Sequence, residues 1–480
     1  MQWEKSLFGK SMFSFNSCTL SILLFSLYSG WLLAFPFEGQ IFYALGESNN
    51  ISVQNMLFSG IAAHFAGLIS CGLLIKNIHE AKRVFSISAL VCIAGSSIFF
   101  TPYSAAWHVS IIVISFSAGF AIASWGFYLK NFTLPEKRIK TVADALIFSN
   151  ILMIIFNIIA VNFSPYTALA ISIFSLVLSF FLNIKLDVDG APEINQQNPA
   201  LDKEVKVPLL FLCIFIIIIT INSGLMYRII NPAFYEHRFL VSWFWAVPYI
   251  ATILVLRNIP LETNRTYALI VGIAMIGFSF LLFAYLDRSA GSYIIIDSLM
   301  LGACGIFDLF WWSILGEMVD YSQNAAKIFG TGLAANVLGV FIGEITASRI
   351  YAANPNTSSS TVVALAIVFV IMLMLPVLNN QLIRLLKEHA FLTNFFNMTH
   401  PEQDKTIYNL MTSRGLTERE KGITALLLKG LTYKMIAEEL HLSENTVKTH
   451  IKNIYSKCEV QNKSQLIKFF DEDSTTNTKT

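Results

Sequence analysis

Long apolar runs separated by short polar loops occupy the first 383 residues of the chain. Each run has about 20 mainly apolar residues, the length that an α-helix needs to cross the hydrocarbon core of a bilayer. We therefore predict an all-α, polytopic membrane bundle of about twelve transmembrane helices. The runs begin near Ser17, Asn55, Val84, Trp107, Val142, Pro165, Val207, Phe239, Thr266, Ser292, Lys327 and Thr361.

One polar connection, residues 185–206, is longer than the others and is rich in Asp, Asn, Gln and Pro. It separates six apolar runs from six more, so we expect two halves of six helices, residues 1–184 and 207–383. The first run follows Lys5 and Lys10 and has no small-residue cleavage site after it. A removed signal peptide would carry such a site, so we interpret this run as the first membrane helix.

Lys and Arg are distributed unequally between the two sides of the predicted bundle. The amino-terminal tail and the even-numbered loops hold 15 of these residues, whereas the odd-numbered loops hold four, Arg228, Arg238, Arg288 and Arg349. Positive charge is retained on the cytoplasmic side of membrane proteins. We therefore expect a multi-pass protein of the inner (cytoplasmic) membrane with both termini in the cytoplasm.

The composition agrees with lipid as the main solvent. Hydrophobic residues make up 55% of the chain and charged residues 13%, whereas soluble chains are about a quarter charged. The six cysteines form no CxxC pair, and we interpret them as reduced small hydrophobic residues. The soluble part has no Ser/His/Asp, Cys/His or metal-spaced cluster, so we expect no catalytic activity, no metal and no cofactor.

A soluble segment follows the last apolar run. Residues 384–397 continue a helical pattern until Pro401 interrupts it, and we assign residues 384–411 to a juxtamembrane helix and linker. Residues 412–470 contain ten Lys or Arg against six acidic residues, a local net charge of +4. We expect a small four-helix domain there and a disordered polar tail over residues 471–480.

Capping residues mark the helices of this small domain. Thr417 and Glu420 form a capping box that starts the first helix, and Gly430 ends it. Thr432 caps a second helix, and Ser443 caps a third after a short turn. The spacing predicts two helices joined by a tight turn, with a third helix before them.

The helix after Ser443 has an apolar side and a polar, basic side. The apolar side would face the domain core and carries Val447, Ile451, Ile454 and Cys458. The opposite side presents Asn445, Lys448, Thr449, Lys452 and Ser456. A basic helix that carries hydrogen-bonding side chains suits the major groove of DNA. We therefore predict a recognition helix for double-stranded promoter DNA.

Two stretches carry a family resemblance, Leu416-Thr417-Glu418-Arg419-Glu420 and the run from Ile436-Ala437-Glu438-Glu439-Leu440 to Ile454-Tyr455-Ser456-Lys457. They resemble the LuxR (GerE-like) family of helix-turn-helix regulators. The resemblance implies binding to DNA as a homodimer. It also implies base contacts from Lys448, Thr449 and Lys452, and positions near phosphates for Thr432, Tyr433, Ser443, Thr446 and His450. The sequence departs from the family at Cys458 and Glu459, where Leu-Gly is usual, and at Lys463, where Arg is usual. A charged module used only for protein contacts is the alternative.

The membrane part resembles a second family in its layout. Two groups of six spans joined by a polar linker are similar to the major facilitator superfamily, whose substrate sites lie near the midplane between the halves. The loop over residues 72–83 contains Lys76, Lys82 and Arg83 but lacks the Asp-Arg-x-Gly-Arg pattern usual in that family. We therefore expect a sensor domain rather than an active transporter.

Ionisable residues inside membrane spans are costly and tend to face cavities or partners. Asp297 and Asp308 lie eleven residues apart, which places them on one face of a helix. With nearby indoles, they could bind an unknown small molecule of cationic or phenolic character. The alternative is that Asp297 and Glu344 form ion pairs with Arg228 or Arg349. The candidate ligand residues are Asp308, Asp297, Trp311, Trp312, Glu344 and His64.

Three other features of the spans have simpler interpretations. Asp144 lies near Lys137, Arg138 and Lys140 and is expected to form a structural ion pair. Trp125 and Tyr128 are interpreted as interfacial aromatic residues. The glycines of residues 329–343 are expected to permit close helix packing rather than to bind a nucleotide.

Together these features predict a one-component regulator that senses a small molecule through its membrane domain and binds promoter DNA through its carboxy-terminal domain. Two alternatives remain at this point. The chain could be a transporter of the major facilitator type with a regulatory DNA-binding tail. The membrane part could also serve only as an anchor, in which case a freed fragment of residues 412–480 would regulate without an inducer.

Overall fold

A computed structural model describes residues 16–37, 39–134, 137–188, 199–259, 265–322, 324–353, 357–397, 414–428 and 433–460, with Leu466 and Phe469. The regular structure of these residues is helical, as predicted. The helices before residue 398 are α1 (Ser17–Ala34), α2 (Gln40–Ser48), α3 (Gln54–Leu74), α4 (Ile78–Ser97), α5 (Ala105–Phe132), α6 (Arg138–Asn162), α7 (Pro165–Lys185), α8 (Pro199–Leu225), α9 (Asn231–Ala233), α10 (Arg238–Trp243), α11 (Ala246–Arg257), α12 (Arg265–Tyr285), α13 (Ala290–Met318), α14 (Ala325–Ala353) and α15 (Thr357–Asn397).

Twelve helical segments of the described chain are long and apolar enough to cross a membrane, which confirms the predicted number. Three of these segments are composite. One runs from α8 through a π-helical turn, Met226–Ile230, into α9, and another combines α10 with α11. The third extends α4 by a 3-10 turn, Ile98–Phe100. The short helix α2 was not predicted, and it packs against α6 and α7 with Ile41, Phe42 and Leu45 buried.

Short polar side chains start several of the membrane helices. Asn16, Asn77, Ser164 and Ser289 each accept a hydrogen bond from a backbone N–H two or three residues later. Such a cap satisfies one of the four N–H groups that the first turn of a helix leaves unpaired. The loops between the apolar runs therefore contain the signals that fix where the helices begin.

Large apolar side chains cover the outside of the bundle. Leu73, Phe163 and Leu373 are 70%, 80% and 78% exposed. In water such a surface would be strongly unfavourable, whereas hydrocarbon chains solvate it. Inside the bundle, α3 packs against α5 and α14, and α1 packs against α6 and α7. Of these contacts, that of α3 with α14 joins the two halves, whereas the others lie within the first half.

Glycines bring α14 close to its neighbours, as predicted for residues 329–343. A Cβ atom at Gly330 would lie 2.2 Å from the backbone oxygen of Leu68 on α3. At Gly343 it would lie 2.3 Å from the backbone oxygen of Ile221 on α8. Since real side chains never approach so closely, only glycine permits these helix contacts.

The chain divides into two compact units. One contains the membrane helices up to residue 194 and from 209 to 376, and the other contains residues 195–208 and those after 376. Helix α15 continues without a break from the last span to Asn397, through Pro376. The carboxy-terminal module has helices α16 (Glu418–Leu428), α17 (Tyr433–Glu439) and α18 (Glu444–Lys457). Of the predicted fourth helix, Leu466 and Phe469 are helical, and the rest lies outside the described residues.

Candidate functional site

The carboxy-terminal module begins with the predicted capping box. The backbone N–H of Thr417 donates to Glu420 Oε2 at 2.8 Å, and the N–H of Glu420 donates to Thr417 Oγ1 at 3.3 Å. The same carboxylate also accepts from Lys457 Nζ at 2.7 Å, and Lys457 Nζ donates to the backbone oxygen of Gly415. Glu420 therefore joins the start of α16 to the last turn of α18.

Acid is expected to weaken this junction. Burial by itself would raise the pKa of Glu420, but the hydrogen bonds from Lys457 and Thr417 outweigh it and hold the pKa below its ordinary value of 4.5. Because the folded-state pKa is the lower one, the carboxylate stabilises the module fully above pH 4.5, and this contribution is lost as the pH falls through the folded-state pKa. Hydrogen exchange of α16 and α18 in the full-length protein should therefore show a loss of protection in acid that is smaller in Glu420→Gln.

The exposed Glu439 provides a matched control for that experiment, since Glu439→Gln removes an equal charge outside the junction. This variant should keep the acid sensitivity of the native protein. Equal pH profiles for the native protein and Glu420→Gln would show that Glu420 does not carry the effect.

The turn between α17 and α18 is held by backbone and side-chain hydrogen bonds. The N–H of Leu442 donates to the backbone oxygen of Ala437 at 2.8 Å, and His441 has a φ of 52°. Ser443 caps α18 by accepting from the N–H of Thr446 at 3.1 Å. Arg419 on α16 donates to the backbone oxygen of Leu440 at 2.9 Å. The angle between α17 and α18 therefore depends on contacts from α16 as well as on the turn.

Helix α18 has the two sides that the sequence predicts. Val447, Ile451, Ile454 and Cys458 are buried in a core with residues of α16 and α17 such as Ile423 and Ile436. The side chains of Asn445, Lys448, Thr449, Lys452 and Ser456 are exposed. Burial of one side fixes which residues the other side presents, so the basic side is held outward by packing.

The other predicted DNA-contacting residues surround this exposed side in several ways. Tyr433, Thr446 and His450 are half-buried. The hydroxyls of Ser443 and Thr446 lie 2.7 Å apart, and Thr449 Oγ1 donates to the backbone oxygen of Asn445 at 2.9 Å. Thr432 lies outside the described residues. The exposed amide and ammonium groups can donate to base edges, while the hydroxyls also serve to cap and stabilise α18.

A groove of about 430 Å³ runs beside the basic side of α18. It is lined by Tyr433, Lys448, Ile451, Lys452, Tyr455, Ser456 and Val460. Tyr455 was not among the predicted DNA-contacting residues, although it lies one helical turn after Lys452. Burial raises the pKa of Tyr455, and a neighbouring Tyr433 adds to that rise.

The departures from the family pattern have a visible structural effect. Glu459 adopts a φ of 56°, a left-handed conformation that glycine accepts without strain. Cys458, just before it, is buried in the core as a small hydrophobic residue. The chain therefore has a left-handed residue after α18 at the position where the family usually has glycine.

In the membrane unit, Asp308 is already hydrogen-bonded by neighbouring side chains. The hydroxyl of Tyr249 on α11 donates to Asp308 Oδ2 at 2.8 Å, and Trp311 Nε1 donates to Oδ1 at 3.1 Å. Both carboxylate oxygens of Asp308 therefore accept a hydrogen bond from a described side chain. Its orientation is therefore fixed by α11 and by its own helix.

Asp297 lies on the same helix in a different environment. It is 1% exposed, and no donor among the described residues reaches either carboxylate oxygen with hydrogen-bond geometry. The ion pair with Arg228 or Arg349 that the sequence left open is not formed by Asp297 in the described chain. The neighbouring Tyr293 hydroxyl and the Trp243 indole N–H are also buried without a hydrogen-bond partner there.

Two further ligand candidates lie on other helices. His64 on α3 is buried, and its Nδ1 lies 3.1 Å from the backbone oxygen of Ser115 on α5. Glu344 on α14 is 5% exposed. The contact of His64 with Ser115 ties two helices of the first half, so this side chain has a structural role whatever else it does.

Trp312 belongs to an aromatic cluster that spans the two halves. Its ring centroid lies 5.8 Å from Phe25 on α1, 6.2 Å from Trp125 on α5 and 5.8 Å from Phe329 on α14. Trp311 lies 5.5 Å from Trp312 and is fully buried. The sequence placed Trp312 beside a ligand, and the structure packs it at the junction of the halves.

The interpretation of Trp125 and Tyr128 as interfacial residues is wrong. Both are fully buried, Trp125 Nε1 donates to Ser21 Oγ at 3.0 Å, and the Tyr128 hydroxyl donates to Asn183 Oδ1 at 2.6 Å. A run of apolar residues does not reveal which side faces lipid, because every position in it is compatible with both environments.

Two bidentate ion pairs join the halves, and both use α6. Arg138 donates to both oxygens of Asp320 at 2.6 and 2.8 Å, and Arg257 donates to both oxygens of Asp144 at 2.6 and 2.8 Å. Asp144 is therefore in an ion pair, as expected, but its partner comes from the second half rather than from the cations beside it. We call these two pairs the inter-half ion pairs. Each half contributes one arginine and one aspartate.

No group of three or more metal-ligating side chains occurs among the described residues. The candidate sites are therefore a basic recognition surface on the carboxy-terminal module and a set of buried polar groups in the second half of the membrane unit.

Comparison with known proteins assigns the carboxy-terminal module. Residues 414–470 match the family model of bacterial regulatory proteins, luxR family. Relatives include the monoamine regulon transcriptional regulator of Klebsiella aerogenes, 42% identical over 52 residues, and the response regulator protein VraR of Staphylococcus aureus, 48% identical over 52 residues. These alignments cover 11% of this chain and 23% and 25% of the two relatives. The module is a LuxR-type helix-turn-helix domain.

Solved structures match the membrane part. The human organic anion transporter MFSD10 (TETRAN) has a TM-score of 0.57 at 12% identity and covers 75% of this chain and 98% of its own. The proton:xylose symporter XylE has a TM-score of 0.55 at 15% identity and covers 75% of this chain and 94% of its own. The membrane part therefore has the fold of the major facilitator superfamily, as its layout predicts.

Proposed function

We propose that this chain is a membrane-embedded one-component transcriptional regulator that senses a small molecule through its membrane domain. The observation that carries the proposal is that one continuous chain joins a major facilitator fold to a LuxR-type domain with an exposed basic recognition side. A DNA-binding domain attached to a membrane bundle can respond only to what the bundle detects or to what reaches the cytoplasm. The proposed domains are the sensor, residues 1–383, the juxtamembrane segment, 384–411, and the DNA-binding domain, 412–470.

The orientation follows from the partner. A domain that binds chromosomal DNA must lie in the cytoplasm, and the excess of Lys and Arg in the tail and even-numbered loops supports cytoplasmic termini independently. The proposed location is the inner membrane, with the lipid bilayer as surrounding solvent.

The proposed DNA interface uses α18 and its surroundings. Lys448, Thr449 and Lys452 would contact base edges, with Asn445 beside them. A second group of residues would lie near phosphates, where they position the helix rather than read the sequence. This group consists of Tyr433, Ser443, Thr446, His450 and Thr432. The resemblance to the LuxR family implies that the domain binds DNA as a dimer. Two copies would therefore read half-sites about one helical turn apart.

The proposed signal is a shift between two arrangements of the six-helix halves. A ligand shifts such an equilibrium only by as much as its affinities for the two arrangements differ. The proposed ligand residues are Asp308, Asp297, Glu344, His64, Trp311 and Trp312. The shift would change the presentation or the dimerisation of the DNA-binding domain and hence promoter occupancy.

Chromatin immunoprecipitation from the membrane fraction tests the proposed function. The full-length tagged protein, crosslinked in its own host, should enrich a few promoters, and the double variant Lys448→Ala/Lys452→Ala should lose them. Lys421→Ala is the matched control, because this lysine lies on α16 in an ion pair with Glu418. Absence of any enriched promoter, with the protein present in the membrane, would count against a regulator.

A transporter with a regulatory DNA-binding tail is the second candidate, favoured by the likeness of the fold to transporters. Uptake into proteoliposomes that Asp308→Asn abolishes would favour this candidate. A protein that occupies promoters but moves no substrate would favour the regulator.

A further inference from the structure

The strongest unexplained feature of the membrane unit is a buried carboxyl group that lacks hydrogen bonds of normal geometry within the described chain. Asp297 is 1% exposed, and neither of its oxygens accepts a hydrogen bond from a described residue. An isolated charge in a low-dielectric interior is very unfavourable unless it is paired. Asp308, eleven residues further along α13, has donors to both oxygens, so the two acids that the sequence places on one face are not equivalent.

We propose that Asp297 is the site that binds the organic ammonium group of the sensed molecule, with the aromatic side chains near Tyr293 as its walls. This proposal rests on the proposed sensing function and names the chemical class of the ligand. A protonated amine would supply the positive charge and the hydrogen-bond donors that the carboxylate lacks.

The surroundings of Asp297 suit an organic cation. Tyr293, one helical turn before Asp297, has its ring centroid 5.2 Å from that of Phe234 and 6.2 Å from that of Phe244. The Tyr293 hydroxyl is the polar group that interacts with the Asp297 carboxylate, although no hydrogen bond of normal geometry joins them. The faces of aromatic rings attract ammonium groups, so carboxylate and rings would act on the same cation.

One of these rings already faces a cation in this structure. The guanidinium carbon of Arg288 lies 5.6 Å from the centroid of Phe234 and 4.1 Å from that of Phe283. Arg288 itself is held by donating to the backbone oxygens of Phe283 and Leu286. Arg288 therefore shows that a cation packs against the Phe234 ring in this structure.

An irregular stretch of helix contacts α13 on both sides of Asp297 in the sequence. Ser223 on α8 lies 3.9 Å from Cys304, and Phe234, beyond the π-helical turn, packs on Tyr293. The turn Met226–Ile230 lies between these two contacts along its own helix. On α13, Asp297 likewise lies between Tyr293 and Cys304. The turn is therefore at the depth of Asp297. A π-helical turn widens the helix and is found frequently at functional sites.

The residues present favour an ammonium group over a metal ion. A calcium or magnesium ion requires several oxygen ligands, and no group of three metal-ligating side chains occurs among the described residues. Aromatic rings and one carboxylate are instead the pattern that binds amines. A bound proton alone would also neutralise Asp297, and the experiment below separates that case.

The test measures equilibrium binding to purified full-length protein in detergent. The probes are methylammonium, 2-phenylethylammonium and the neutral 2-phenylethanol, which has the shape of the second without its charge. We expect 2-phenylethylammonium to bind and 2-phenylethanol to bind about tenfold or more weakly, since it offers no charge to the carboxylate. Asp297→Asn should weaken binding of the ammonium probe by about tenfold or more and remove the preference for the charged probe.

Asp287→Asn is the matched control, because it removes the same charge from the exposed loop before α13. Its affinity for 2-phenylethylammonium should stay within about twofold of the native value. Thermal unfolding checks the fold, and Asp297→Asn should not lower Tm without a probe, since it removes a buried charge that lacks hydrogen bonds of normal geometry.

Three results would overturn the proposal. The first is equal binding of the charged and neutral probes. The second is an unchanged affinity for 2-phenylethylammonium in Asp297→Asn, which is expected if Asp297 only carries a proton. The third is that neither ammonium probe binds at millimolar concentration. Each leaves the proposed function intact if the native protein occupies promoters in the immunoprecipitation. Failure of that separate measurement would instead reject the proposed function, whatever the probes show.

Discussion

Replacing both Lys448 and Lys452 with alanine is expected to lower the affinity of the full-length protein for its operator by roughly 30-fold or more. A lysine that contacts a base contributes about 1–3 kcal/mol, and two such losses together amount to about 2–6 kcal/mol. Both side chains are exposed on α18, opposite Val447, Ile451 and Ile454. Their removal therefore changes the binding surface without changing the core of the domain.

The measurement is a titration of promoter DNA, recovered by immunoprecipitation, at one fixed salt concentration. The salt concentration must be fixed because neutralising phosphates releases counterions and makes affinity strongly salt-dependent. Lys421→Ala, on α16, controls for the loss of positive charge alone. A double variant that binds the operator as tightly as Lys421→Ala would remove Lys448 and Lys452 from the interface.

Single variants should separate two roles for these lysines. If Lys448 or Lys452 reads a base, its loss should weaken binding to the operator more than binding to unrelated DNA. If it contacts only phosphate, its loss should weaken binding to both equally and reduce the salt dependence by about one unit of slope.

Arg138→Ala is expected to cause the largest loss of stability in the membrane unit. The side chain of Arg138 is 3% exposed and that of Asp320 is 17% exposed, and the arginine also donates to the backbone oxygen of Gly316 at 3.0 Å. This variant removes the cation of the buried pair while the carboxylate of Asp320 stays, and breaking a buried pair costs about 3–5 kcal/mol. Unfolding of the purified full-length protein in denaturing detergent measures this loss.

Arg257→Ala provides an internal comparison. Its ion pair with Asp144 has the same bidentate geometry and joins the same two halves, but its side chains are 30% and 24% exposed. An exposed pair contributes about 0–1 kcal/mol, so Arg257→Ala should cost much less than Arg138→Ala. A loss in Arg257→Ala that equals or exceeds that in Arg138→Ala would show that burial does not set the strength of the inter-half ion pairs.

The double variant Arg138→Ala/Asp320→Ala adds a further check. It removes both charges, so no uncompensated carboxylate remains in the interior. It should be more stable than Arg138→Ala alone if desolvation of Asp320 causes the loss.

The carboxy-terminal domain was predictable in detail because its signals are local. The capping box at Thr417, the cap at Ser443 and the apolar positions of α18 act within one or two helical turns. Local hydrogen bonds and helical period therefore determine which side of α18 is exposed. The contacts of Lys457 and Arg419 with other helices depend on the fold, and no spacing in the sequence indicates them.

The sequence alone determined the number of spans, the division into halves and the class of the carboxy-terminal domain. The physical reason is that hydrocarbon requires about 20 apolar residues in a helix, and that a small helical domain is specified by caps and period. The tertiary structure alone decided the partner of Asp144, the burial of Trp125 and the contrast between Asp308 and Asp297. An apolar helix can turn any side to lipid, so its orientation is fixed only by packing against other helices. Whether a buried carboxylate accepts a hydrogen bond therefore depends on residues far away in the sequence. For Asp308 the donor is Tyr249, on another helix.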